Sequence, residues 1–136
     1  MRALDEPIPP KEELYRGARD SDVVGDVVNL AIVDSLGTSC NRQKYAAADS
    51  VLEPDKGRTR VVVTTPDALP GPVIVNEIEY EFFAVDAPEE GRDAHSEIRW
   101  RRTDKRPSSD HANIKSSTTK LALKALLARA FRVKAT

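Results

Sequence analysis

The chain has one cysteine in 136 residues, Cys40, so no internal disulfide can form and a core must close on packing alone. A chain of this length can do that without a disulfide or a metal. Aromatic residues are scarce, at 5%, so the core has to be assembled from Val, Leu, Ile and Ala. No apolar stretch approaches the roughly 20 residues of a membrane span, and the opening MRALDEPIPP has no apolar signal core. A cytoplasmic protein that does not enter the membrane is expected, and no bound cofactor. A glycine-rich phosphate loop, a G-x-S-x-G elbow, zinc-ligand spacing and a helix-turn-helix pattern are all missing.

Charge is plentiful and unevenly placed. The net charge of -1 is the difference of two opposed blocks. Residues 1–97 carry 10 Lys/Arg against 20 Asp/Glu, and residues 98–136 carry 11 against 2. An acidic body with a basic end is therefore expected. Phosphate neutralisation needs clustered cations. Arg99, Arg101, Arg102, Lys120 and Lys124 are the candidate contacts to a polyanion, with Trp100 available to stack on a base. The same cations could instead neutralise the acidic body of their own chain or of a second copy, as in a homodimer. An interaction module is the leading expectation, with another protein as partner and nucleic acid as the alternative.

Residues 1–10, broken by Pro7, Pro9 and Pro10, predict an extended arm. Residues 11–18 form a helical turn or a short strand closed by Gly17. Residues 27–33, rich in valine, predict a strand. Residues 37–45 read as a loop, and residues 46–53 as a short helix ended by Pro54. Strands are predicted over 60–65 and from 73. The clearest strand is 77–85, where Ile78, Tyr80, Phe82 and Ala84 alternate with glutamates; residues 94–101 repeat the alternation as its hairpin partner. Residues 102–115 read as a solvated linker. The Ser/Thr run before residue 120 can cap a basic helix over 117–134 with an apolar arc at Leu123, Leu126, Leu127, Ala130 and Phe131. The fold class is α+β: one domain over 11–136, a small mixed or mostly antiparallel sheet with the C-terminal helix packed on it.

Three polar groupings can carry chemistry. Asp93, His95 and Glu97 are spaced by two, so a regular strand puts them on one face, where they could ligate a divalent metal or pair for proton transfer; they could equally be a solvated ladder continued by Arg99. Cys40 lies near Arg42 and Lys44, cations that lower a thiol's pKa or contact an anion; a small buried hydrophobe is the competing reading. Arg16 in LYRG, Ser39 in GTS and Glu97 in HSE fall in the order Arg, Ser, Glu. That order resembles ADP-ribosyltransferases, which implies that Arg16 and Ser39 help hold NAD and that Glu97 drives transfer. His95 stands where that family carries a second acid or glutamine. The segments ELYRG, SCNRQKYAAADSVL and AVDAPEEGRDAHSEI also resemble a family of small bacterial domains of unknown function. That likeness implies a bacterial or phage setting and a polar pocket around Tyr15, Arg16, Asn41, Arg42, Asp86, Ala94 and His95. In the enzyme alternative, an ADP-ribosyltransferase-like protein or a metal-assisted hydrolase, Arg16, Arg42, His95 and Glu97 must converge.

Overall fold

The computed structural model describes residue 2 and residues 5–135; residues 1, 3 and 4 of the expected arm and residue 136 lie outside it. The fold is α+β. In chain order the elements are β1 (Leu14–Arg19), β2 (Val23–Val24), β3 (Val27–Val28), β4 (Thr38–Arg42), β5 (Arg58–Thr64), β6 (Val73–Val75), β7 (Ile78–Asp86), β8 (His95–Arg102), α1 (Ser117–Ala128) and β9 (Arg132–Val133). Seven strands make one sheet in the order β6-β7-β8-β4-β1-β5-β9, every neighbour antiparallel, while β2 and β3 form a separate hairpin.

The sheet has one apolar face and one polar face, and strand register decides which side chains share each. Phe82 lies opposite Trp100 and Ala84 opposite Ile98; Thr38 is also opposite Ile98, and Cys40 is opposite Ser96. This face, with Leu14, Ala18 and Val62, meets Leu123 and Leu127 of α1 and Ile32 and Val33 from the segment after β3. Phe82 packs edge-on against Trp100. Helix α1 begins where Ser116 accepts a hydrogen bond from the Thr119 backbone N–H, a side-chain cap on an otherwise unpaired donor.

The hairpin of β7 and β8 and the strand β5 lie close to where alternation and valine content predict them. Several elements differ: the short helix expected over 46–53 is a 3-10 turn at Ala48–Val51, and four others depart for the reasons that follow. Residues 27–33 give only two strand residues; a 3-10 turn at Leu30–Ile32 follows, capped by the Asn29 side chain. Residues 38–42, expected as loop, form the central strand β4: Thr38, Cys40 and Arg42 are buried on its core side, and backbone pairing to both neighbours overrides weak strand formers. The C-terminal helix stops at Ala128, and Arg132 and Val133 turn back to pair with Val63 and Val62, covering what would be an open sheet edge. The expected linker 102–115 is strapped along β8: the Ala112 N–H donates to the Trp100 carbonyl at 2.9 Å and the Trp100 ring N–H to the Ala112 carbonyl at 3.2 Å. The His111 ring stacks on Trp100 with centroids 4.6 Å apart.

Gly17 does not end β1, which continues to Arg19. Its lack of a side chain serves a close approach instead. A Cβ there would sit 2.4 Å from the Val51 carbonyl oxygen, in the 3-10 turn Ala48–Val51 laid over the polar face of the sheet. Gly17→Ala is expected to push that turn away and to cost about 1–3 kcal/mol. A denaturant midpoint equal to that of the wild type would contradict the packing.

Candidate functional site

The join between β1 and β4 is the irregular place in the sheet. The two strands pair at Leu14 with Arg42 and at Tyr15 with Asn41, and nowhere further along β1. On its other edge β1 stays paired with β5 along its whole length, and β4 stays paired with β8 from Thr38 to Asn41. The sheet is therefore closed at one end of this join and open at the other.

The open end needs partners for backbone groups that no longer face a strand. Arg16 supplies them. Its Nη1 donates to the Ser39 carbonyl at 2.8 Å and its Nε to the Ile32 carbonyl. A side-chain guanidinium thus takes the place of a ladder hydrogen bond. Over the opening lies a polar cleft of about 280 Å³, bordered among others by Arg16, Ser39, Asn41, Glu53, Arg58 and Arg92. The Val51 segment that presses on Gly17 forms one wall.

On the polar face beside the cleft, Ser39 lies opposite Glu97 and Asn41 opposite His95. Arg16, Ser39 and Glu97 therefore occupy three adjacent strands. The His95 ring is almost fully buried. Its Nδ1 is 2.7 Å from the Ala87 carbonyl and 3.1 Å from a Glu89 carboxylate oxygen, and its Nε2 is 3.1 Å from the Ser39 hydroxyl. A carbonyl only accepts, so the proton belongs on Nδ1 and Nε2 accepts from Ser39. Glu97 accepts from Arg99 Nε at 3.0 Å and lies against Gly37, where a Cβ would come within 2.5 Å of its Oε1. Asn41 donates to the Ser50 hydroxyl at 3.0 Å, tying β4 to the cleft wall.

Arg42 does not join this group. It projects from the opposite, core face and is 0% exposed. Its guanidinium takes Glu12 in a two-point grip at 2.8 and 2.7 Å, Asp86 at 3.1 Å and Glu6 at 3.0 Å. Arg2 grips the other side of Asp86 and stacks on Tyr45. Burial would raise the Asp86 pKa, but the Arg2 and Arg42 hydrogen bonds outweigh it and hold the carboxyl below its usual range. Lys44 pairs with Glu6 at 2.8 Å. The expected convergence of Arg16, Arg42, His95 and Glu97 is thus corrected. Arg42 and Lys44 tie the N-terminal arm to the sheet; Arg16, also on the core face, reaches only the Ser39 carbonyl of this group, and the polar-face contact is between Ser39 and His95, with Glu89 added from a loop and Glu97 opposite Ser39 in register.

The other expected contacts are also redistributed. Trp100 is 1% exposed on the core face, because its strand parity points it inward, so it offers no platform for a base. Arg99 and Arg101 donate to Ser109 and Ser108 carbonyls and pair with Glu97 and Glu81; Arg102 pairs with Asp104. Lys120 and Lys124 stand half-buried on α1. Asp93 is exposed and offers its backbone carbonyl to Arg2. Among the described residues no group of three or more His, Cys, Asp or Glu side chains could hold a metal. Cys40 is fully buried, and burial pushes its thiol up to about 12, which removes it as a nucleophile.

No protein-family model, curated protein or solved structure matches this chain.

Sequence reasoning missed Ser39 as the partner of His95 and missed Glu89 altogether. The signal available for the first was the parity of two strands, and it was hidden because β4 read as a loop.

Two outcomes follow from the ionic contacts. Arg42→Ala leaves Asp86 and Glu12 buried without their cation and is expected to cost about 3–5 kcal/mol; a loss below 1 kcal/mol in chemical denaturation would contradict the clamp. Hydrogen bonds from Lys44 and Tyr45 bring Glu6, and from Arg106 and Arg101 bring Glu81, from 4.5 down to about 2. Carboxylates depressed in the folded state stabilise it above pH 4.5 and lose that contribution as pH falls toward 2. The melting temperature should therefore drop across that window, and a Glu81→Gln variant should drop less.

Proposed function

We propose that the chain is a small ADP-ribosyltransferase-like enzyme whose cleft at the opening between β1 and β4 receives NAD. One arrangement carries the reading: Arg16, Ser39 and Glu97, far apart in sequence, sit on the adjacent strands β1, β4 and β8, and Arg16 and Ser39 line the polar cleft where β1 and β4 part. Two of Arg16's five N–H donors hold backbone carbonyls, and the rest suit a phosphate oxygen. Arg58 and Arg92 also border the space, each paired with a glutamate, Glu53 and Glu89. Loss of nicotinamide leaves positive charge on the ribose carbon, and a fixed carboxylate at Glu97 stabilises that charge as it develops. Glu97 is held in place by Arg99 on one side and by Gly37 on the other.

A second reading, an interaction module for a protein partner, draws on apolar side chains left in solvent: Val24 and Val27 on the small hairpin, Leu36, Ile74 and Leu121. Nucleic-acid binding has less support. Arg99, Arg101, Arg102, Arg106, Arg132 and Lys134 of the basic end all pair with acids of the same chain.

The purified protein should consume NAD and release nicotinamide, and Glu97→Gln should slow release about 100-fold or more. Equal rates for the two proteins, or no consumption with any acceptor, would dismiss the enzyme. In a gel-shift titration at low salt the protein should leave nucleic acid unshifted. A shift that weakens steeply with added salt would restore the basic end as a binding surface.

A further inference from the structure

The pairing of Ser39 with His95 is a second chemical feature of the cleft, independent of NAD. The imidazole is held on both nitrogens. Nδ1 meets the Ala87 carbonyl at 2.7 Å and the Glu89 carboxylate at 3.1 Å, and Nε2 meets the Ser39 hydroxyl at 3.1 Å. The Ala87 carbonyl fixes the tautomer that leaves Nε2 unprotonated, and the Glu89 carboxylate lies on the same side of the ring, at Nδ1. A hydroxyl, a base within hydrogen-bond reach and an acid behind the base are the three parts of an activated nucleophile. Ser39 also borders the cleft, so an incoming group can reach it, while the ring that serves it stays buried.

We propose that Ser39 is a nucleophile activated by His95 and that the cleft accepts an activated acyl group, such as an ester. The Ser39 Oγ forms a bond to the acyl carbon as its hydroxyl proton passes to His95 Nε2. The bond to the leaving alcohol breaks, and the alcohol departs with that proton. Water then attacks the acyl-Ser39 ester, giving its proton to Nε2, and the carboxylic acid leaves as Ser39 recovers its hydrogen. The neighbouring Cys40 does not compete, since its thiol faces the core.

The test uses the full chain and a fluorophosphonate probe, which marks activated serines without any need for NAD. Labelling of the wild type is expected at the peptide carrying Ser39, with loss in Ser39→Ala and at least a 100-fold slower rate in His95→Gln. Circular dichroism checks that the buried His95→Gln variant folds; if it does not, the wild type and Ser39→Ala decide alone. An unlabelled wild type, or equal labelling of Ser39→Ala, overturns the proposal. Failure here leaves NAD consumption untouched, and failure of NAD consumption leaves this labelling untouched.

Discussion

A buried guanidinium closes the end of the sheet from which everything else is measured. Arg42 is the innermost charge of the chain, and it gathers carboxylates from three separate stretches: Glu6 in the N-terminal arm, Glu12 just before β1 and Asp86 at the end of β7. Such a charge is tolerable in a core only when fully paired. The requirement fixes the register of β1 against β4, because Leu14 faces Arg42 only while Glu12 reaches its guanidinium. With that end locked, the opposite end of the same join is free to open. The Leu30–Ile32 turn brings the Ile32 carbonyl to Arg16, so that the opening is braced rather than empty.

Two arginines on the same face of adjacent strands therefore do opposite things. Arg42 sits deep and neutralised, and its removal is a matter of stability. Arg16 uses part of its hydrogen-bonding capacity to brace the split and keeps the remainder at the edge of a polar cleft. On the other face Ser39 borders that cleft and is held by His95, while His95 and Glu97 are each held by further contacts, from Ala87, Glu89, Arg99 or the bare Cα of Gly37. Fixed polar groups around a cavity are what transition-state stabilisation requires, since no energy is then spent on turning them. The proposed transfer chemistry rests on this combination rather than on any one residue.

Where periodicity was strong, the fold could be read from the residues alone. Ile78, Tyr80 and Phe82 alternate with glutamates, and the hairpin with residues 95–102 follows. Ser116 announced the helix start. The central strand could not be read, because Thr38, Cys40 and Arg42 are poor advertisements for a core, and only their partners make them one. That single omission blurred the site: without a strand at 38–42 no parity separated Arg42 from Ser39, and Arg42 was grouped with His95. The charge asymmetry was visible in full, and part of it is met within the chain. Glu13 meets Arg132 and Lys134, and Glu81 meets Arg101 and Arg106, so part of the basic end is spent on the acidic body.

Amide chemical shifts followed during an NAD titration test the central claim most directly, because they report place as well as binding. The account predicts that the perturbed amides cluster at residues 16–17, 39–41 and 95–97, and that an Arg16→Ala variant loses the response while keeping its fold. Perturbations centred on α1 or on the hairpin of β2 and β3, or none at millimolar NAD, would contradict it.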